Sequence, residues 1–261
     1  MNVAVFDLET NGYRGASVLS ASSIVFDCAG RVLDFFNRFY LPVEPFNSYL
    51  TRIHGLTPSR ITALRKLSPM TPSYFIEDWP SLTDFWEEWE VEGIIIHNAR
   101  FDMSFLPEMA QAVLPCWCSM RGLTDLCALP KKPGGRGSGA FKWPKLGEAV
   151  DVLCDGPNAL PPNENVANAE RAVGDCRAHV SLSDCFELYR VAARVMEHHP
   201  RLIRFRTLSL GFCPPKAGPC DICARSRRDE FTDGVLELEQ KLRGLSGRAG
   251  YDLNLTERWY S

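Results

Sequence analysis

The stretch "VAVFDLETNG" near the N-terminus carries two acids, Asp7 and Glu9, at positions i and i+2. On a strand such a pair projects to one side, roughly 6.6–7 Å apart along the chain. Val3 and Val5 share that side, while Ala4, Phe6 and Leu8 take the other, so the acids sit on an inner side. They are costly to bury there unless something positive joins them; taken alone, the pair also suits a strand end with solvated acids. A third acid, Asp102 in "GIIIHNARFDMSFL", falls in the first turn of a helix after a buried strand. Capping would be its ordinary role. Asn98 is the better cap, however, and the core-type neighbours Phe101, Phe105 and Leu106 leave Asp102 near the strand ends. A fourth, Asp175 in "NAERAVGDCRAH", arrives from a long helix. Four converging carboxylates repel one another. Divalent cations that favour hard oxygen ligands, Mg2+ or Mn2+, are the ordinary answer, and two such ions about 3.5–4 Å apart form the clamp that cuts phosphodiester bonds.

The elements that must position these acids follow from the surrounding pattern. Residues 2–8 alternate as a strand. "SSIVFD" and "RVLDFFNRFYLP" flank the turn "CAG" and predict a hairpin. "TPSRITALRKL" (57–67), with Pro at a first helical position, predicts a short helix; "SLTDFWEEWEV" (81–91) predicts a second, capped by Ser81 or Thr83. "GIIIH" (93–97) reads as a buried strand, followed by a helix over about 99–113 and a short edge strand at 116–119. The segment 129–145, rich in Gly, Pro and Lys, is expected to be a mobile loop, 145–154 a short helix, and 155–168 a second loop. From Asn168 one long helix is expected to run to about 197. Its buried stripe of Leu182, Phe186, Tyr189, Ala193 and Met196, traced backwards, passes through His179 and Asp175. Pro200 closes this unit, so residues 1–200 form one domain and residues 201–261 a small C-terminal extension. The element order is α/β: a central mixed β-sheet flanked by helices.

With 261 residues, 45% hydrophobic and 11% aromatic, the chain has the make-up of a soluble globular protein large enough for a real core. A formal charge of −3 gives no general preference for nucleic acid or membrane, so any basic site must be local. No apolar run reaches the roughly 18 residues of a membrane span, and the first residues lack the basic-then-apolar order of a signal peptide. Ten cysteines without a secretion signal point to reduced thiols, several packed singly in apolar runs (Cys28, Cys154, Cys176, Cys185), and to a cytoplasmic location.

"FDLETNG", "IHGLT" at 53–57, "HNARFD" and "ERAVGDCRA" occur in that order over roughly residues 1–197. Together they resemble the motifs of the DEDD 3′–5′ exonucleases, the family that includes the proofreading epsilon subunit of bacterial DNA polymerase III. The resemblance implies a ribonuclease H-like exonuclease fold. It implies a two-metal 3′–5′ exonuclease, dependent on Mg2+ or Mn2+, that releases nucleoside monophosphates from a single-stranded or frayed DNA 3′ end in proofreading or repair. It implies metal ligands at Asp7, Glu9, Asp102 and Asp175. Asp7 would bridge both ions, Glu9 and Asp175 would complete the site of the ion that activates water, and Asp102 would serve the second. A catalytically weakened nucleic-acid-binding or polymerase-associated module, and an exoribonuclease on short RNA, are the competing functions.

In the histidine-bearing (DEDDh) branch of this family, a histidine five positions before the last acid orients the attacking water and takes its proton. Counted from Asp175, that place holds Glu170, with Ala172 and Gly174 keeping the rest of the pattern; Arg171 stands where the tyrosine-bearing branch has its tyrosine. A second register, His179 five before Asp184, meets the bare spacing. It lacks the small residue two after the histidine, where Ser181 stands, and would carry the acid more than three turns into the long helix. The Asp175 register matches at more positions. With a reference pKa of about 4.3 against about 6.5 for histidine, Glu170 as the base implies a working but slower enzyme, or one with altered metal or pH preference, whose rate at pH 7–8 rises on Glu170→His.

Leu8, Thr10, Asn11 and Gly12 after the first acids, His54 in "IHGLT", and Asn98 and Phe101 in "HNARFD" are the expected contacts to the 3′ nucleotide; for His97 a structural hydrogen bond is the preferred reading. Lys131, Lys132, Arg136, Lys142 and Lys145, interleaved with Phe141 and Trp143, suit a phosphate-and-stacking loop and a merely solvated loop equally. Cys213, Cys220 and Cys223, with His198 and His199 nearby, could hold zinc, but only one C-x-x-C pair is present and a reduced tail is preferred. The C-terminal extension could dock a polymerase or other protein partner; no membrane contact is expected.

Overall fold

β1 (Asn2–Thr10) is central to the sheet because both its faces are apolar, with Val3 and Val5 buried on one side and Ala4, Phe6 and Leu8 on the other. The computed structural model describes residues 1–174, 180–207 and 231–246. β2 (Val18–Asp27) and β3 (Val32–Phe39) form the expected antiparallel hairpin beside β1. α1 (Ser48–His54), α2 (Pro58–Arg65) and α3 (Phe75–Glu88) lead to β4 (Val91–Ile96), parallel to β1. α4 (Ala99–Asp102) and α5 (Glu108–Val113) precede β5 (Pro115–Cys118), parallel to β4. α6 (Ser119–Gly122) and α7 (Thr124–Cys127) are followed by a small separate hairpin, β6 (Gly137–Ser138) and β7 (Phe141–Lys142). The rest comprises α8 (Leu146–Val150), α9 (Glu164–Val173), α10 (Ser181–His198), β8 (Arg206–Thr207), antiparallel to β5, and α11 (Phe231–Leu245). The main sheet has the order β3-β2-β1-β4-β5-β8. One face packs against α8, α9, α10 and α11, the other against α3, α4 and α5. This is the expected α/β arrangement, a mixed sheet between helices.

Several elements depart from the sequence expectation for local reasons. α3 begins at Phe75 rather than at a Ser81 or Thr83 cap; Glu77 and Asp78 favour its first turn, and Pro80 lies inside it. The helix expected over 99–113 is broken before Pro107, where Leu106 is extended (φ −81°, ψ 158°), as a residue preceding proline prefers. Asn98 does not cap α4 with its side chain; its backbone is left-handed (φ 63°) and the residue is exposed. The single helix expected from Asn168 is two helices. α9 starts earlier, with the Asn163 side chain accepting the Val166 N–H at 3.0 Å, and ends at Gly174, whose φ of 62° halts the helix. α10 then starts afresh at Ser181. Beyond residue 200, β8 joins the sheet, and Val235, Leu238 and Leu242 of α11 are buried in the same cluster as Val166 and Val173. Among the described residues no helix is long and apolar enough to cross a membrane.

Candidate metal centre

Asp7 and Glu9 continue the Val3–Val5 side of β1 toward its C-terminal end, and their antiparallel partners are Ser22 and Ser20. α10 packs across β1 and β2 at this end, and Asp184 in its first turn comes over the strand acids. One oxygen each from Asp7, Glu9 and Asp184 lie within 4.8 Å of one another. Asp102 enters from the end of α4, just after β4, whose Ile96 lies beside Phe6 of β1. Its Oδ1 accepts the Leu8 N–H at 3.2 Å, so the backbone between the two strand acids fixes the carboxyl.

A buried hydroxyl chain sets α10 over the strand acids. Ser181 lies one turn before Asp184, on the same helix face. Its Oγ is 2.8 Å from Ser20 Oγ and 2.6 Å from Ser22 Oγ. Ser22 donates to Asn37 Oδ1 at 2.8 Å, and Asn37 Nδ2 donates to Glu239 Oε1 of α11 at 2.7 Å. Each hydroxyl has one proton, so the order is Ser20 to Ser181 to Ser22 to Asn37. Cys185, next to Asp184, donates its thiol to the Ser22 carbonyl at 3.1 Å. The helix is thus stitched to β2 on both sides of Asp184.

None of the ion pairs among the described residues involves Asp7, Glu9, Asp102 or Asp184. Burial pushes the Asp7 and Glu9 carboxyls well above the usual range, and their acidic neighbours push further: Asp102, Asp184 and Glu9 for Asp7, Asp184 and Asp102 for Glu9. Burial raises Asp102 to about 8, with Asp184 adding to it and the N–H bonds from its own backbone and Leu8 opposing. Asp184 rises to about 6, through burial first and then Glu187. A cluster of oxygen donors with no basic partner among the described residues fits a hard divalent cation, whose charge would offset the repulsion among them.

The structure brings together Asp7, Glu9, Asp102 and Asp184. Asp175 lies outside the described residues, as do His179 and the cysteines Cys213, Cys220 and Cys223. Glu170, expected as the base, is elsewhere engaged. Its Oε1 accepts Arg190 Nε and Arg194 Nη1, both at 2.7 Å, and its Oε2 accepts Arg194 Nη2 at 2.9 Å. Burial raises its pKa, but the two arginines outweigh this and hold it below the ordinary value. A carboxylate so neutralised is a poor proton acceptor.

Several expected substrate contacts are absorbed by the scaffold. The Leu8 side chain is core on the opposite face. Thr10 Oγ1 donates to the Gly12 carbonyl at 2.7 Å. The Asn11 side chain donates to Glu44 and the Pro45 carbonyl and accepts the Asn47 N–H, clamping the loop before α1. A side chain at Gly12 would strike Ala16 at 2.8 Å. Buried His54 accepts the Leu56 N–H at 3.0 Å, and burial lowers its pKa to about 4. His97 has the structural role preferred for it, with Nδ1 2.9 Å from Ser119 Oγ and Nε2 3.1 Å from the Pro144 carbonyl. Phe101 packs edge-on to Phe105, centroids 5.1 Å apart, and only Asn98 is exposed without such an engagement. The hydroxyl chain had gone unseen, although the polar residues alternating in "SASS" of β2 mark it.

No protein-family model matches this chain. It is 27% identical over 105 residues to exodeoxyribonuclease 10 of Escherichia coli (strain K12), a match covering 40% of each chain, so it spans well under half the length of this curated relative. Among solved structures it is similar to exonuclease X in complex with 5′ overhanging duplex DNA (TM-score 0.47, 20% identity, 76% of this chain and 93% of that one). It is also similar to E. coli exonuclease I in complex with a dA16 oligonucleotide (TM-score 0.46, 16% identity, 77% and 42%). By sequence over part of its length, this chain is similar to a bacterial exodeoxyribonuclease.

Proposed function

We propose that this chain is a divalent-metal-dependent 3′–5′ exonuclease acting on DNA. The observation that carries the reading is the cluster of Asp7, Glu9 and Asp184 oxygens within 4.8 Å, joined by Asp102 at Leu8. Mg2+ or Mn2+ ions held there would supply an activated water and charge stabilisation for the departing 3′ oxygen. Asp7, Glu9, Asp102 and Asp184 are the residues that would hold these ions. The Leu8 N–H keeps the Asp102 carboxylate in position, and the Ser181–Ser22 contact does so for Asp184. Asp184 rather than Asp175 as the fourth acid moves the motif register: His179 then stands five positions before it. We assign His179, not Glu170, as the proton acceptor; its reference pKa of about 6.5 suits neutral pH. The resemblance to exodeoxyribonuclease 10 supports DNA as the polymer.

The test is release of nucleotide from 3′-labelled single-stranded DNA and RNA with Mg2+ or Mn2+. The wild-type chain is expected to release mononucleotide from DNA, Asp7→Ala and Asp184→Asn to release none, and His179→Ala to lose about 100-fold or more. Retained activity in Asp184→Asn with loss in Asp175→Asn would restore the other register. No metal-dependent release from either polymer would remove the nuclease reading.

A further inference from the structure

We propose that the β6–β7 hairpin is a cradle for the phosphodiester backbone of the single strand entering the acidic centre; this rests on the nuclease reading above. Between Asp125 and Glu148 the chain has five basic residues, Lys131, Lys132, Arg136, Lys142 and Lys145, and no acid, although its overall charge is −3. A recess of four carboxylates repels a polyanion, so a strand needs cations at its rim to approach.

The structure fixes these cations on a built element. Gly137 faces Lys142 and Ser138 faces Phe141. The Lys131 N–H donates to the Ala140 carbonyl at 3.2 Å, and the Lys142 N–H to the Leu129 carbonyl at 2.9 Å. Gly137 is required by close approach, since a Cβ there would lie 1.9 Å from the Phe141 carbonyl oxygen. The foot is fastened beside the acids. Pro144 accepts from His97, the residue directly after β4, and β4 ends next to the Asp7 end of β1. Arg121 stands over the Trp143 ring, 5.3 Å from its centroid, adding a cation at the same foot.

The charge distribution separates a binding surface from a solvated one. Lys142 is answered by Glu148. Arg31, Arg190, Arg194, Lys241 and Arg243 are likewise answered by carboxylates. Lys131, Lys132 and Arg136 have no ion pair among the described residues, and Lys132 and Arg136 are exposed. Three cations without an ion pair among the described residues, flanking a hairpin whose far end is fastened through Pro144 to the residue after β4, suit a ligand with a repeating negative charge.

The test is binding of a 5′-labelled oligothymidylate by the full chain in EDTA, where turnover is absent, at several salt concentrations. Lys131→Ala/Lys132→Ala/Arg136→Ala is compared with Lys66→Ala/Arg201→Ala/Arg204→Ala, which removes the same charge from exposed positions elsewhere. The hairpin variant is expected to bind about tenfold more weakly, with the log–log salt slope reduced by about 2, at roughly 0.7 per lost single-strand phosphate contact. The control variant should keep wild-type affinity within about twofold. Equal loss in both variants, or in neither, overturns the cradle. A larger loss on blunt duplex than on the single strand overturns the choice of ligand. Hairpin-dependent binding without metal-dependent hydrolysis leaves the cradle standing and removes the nuclease reading; hydrolysis with indistinguishable variants does the reverse.

Discussion

Glu170 and Asp184 are both helical acids next to the same sheet face, and their neighbours decide what each can do. Glu170 receives three N–H donors from two arginines, one of which, Arg194, has a side chain only 3% exposed. Asp184 has no cationic partner among the described residues and faces two more acids. Replacing Glu170 would therefore leave a buried guanidinium without its counter-charge. Glu170→His is expected to lower stability by about 3 kcal/mol and to leave the rate per folded molecule at pH 7–8 no higher than wild type. Urea midpoints and initial rates measure the two effects separately; a faster variant of unchanged stability would return Glu170 to the reaction. Asp7, Glu9 and Asp102 were legible in the sequence, because a strand period and a strand-to-helix junction constrain where carboxyls point. Which helical acid joins them was not: the Asp175 register keeps Ala172 and Gly174 but has Glu170 at the histidine place, whereas Asp184 has His179 five before it, and only the start of α10 at Ser181 puts Asp184 in a first turn.

At the scale of elements, that start is what the apolar stripe concealed. Leu182, Phe186 and Tyr189 are buried as their spacing predicts. Spacing alone does not report a break, however; Gly174, the one residue there whose type announces a helix end, lies on the backward continuation of the stripe. Pro107 gave a similar warning in the segment after β4. β1, the β2–β3 hairpin and β4 were read within a few residues because alternation and turn residues agree there. What periodicity cannot show is how α10 registers on the sheet, which depends on three hydroxyls from distant segments. Ser181 lies in the middle of that chain and Ser20 at its end. Ser181→Ala should weaken Mn2+ binding about tenfold, the lower end for loss of a group that holds a metal ligand in place. Ser20→Ala, which leaves the Ser181–Ser22–Asn37 links intact, should bind nearly as wild type. Electron paramagnetic resonance titration gives both constants, and equal affinities in the two variants would refute a positioning role for Ser181.

Across the whole molecule, α11 belongs to the core. Val235, Leu238 and Leu242 are each fully buried, at spacings of three and four that the sequence displays in "GVLELEQKLRG". That spacing marks a helix but not its destination, since an amphipathic stripe does not name the surface that covers it. α11 packs against α9 and β3. Lys241 Nζ donates to the Val173 carbonyl at 2.7 Å, satisfying the end of α9 just before the break that lets α10 begin at Ser181. Glu239 receives the last link of the hydroxyl chain. At about 1.5–3 kcal/mol for each aliphatic side chain buried, these three contribute an amount comparable with the roughly 5–15 kcal/mol of net stability of a whole domain. A chain ending at residue 200 is therefore expected to lose cooperative thermal unfolding and Mn2+ binding together. One ending at residue 246 should retain both, because α11 then still covers α9 and still anchors Asn37. Calorimetric melts with and without Mn2+ distinguish the two chains. A 1–200 chain that melts cooperatively at the full-length midpoint and still gains stability from the ion would show that α11 merely rests on a core complete without it.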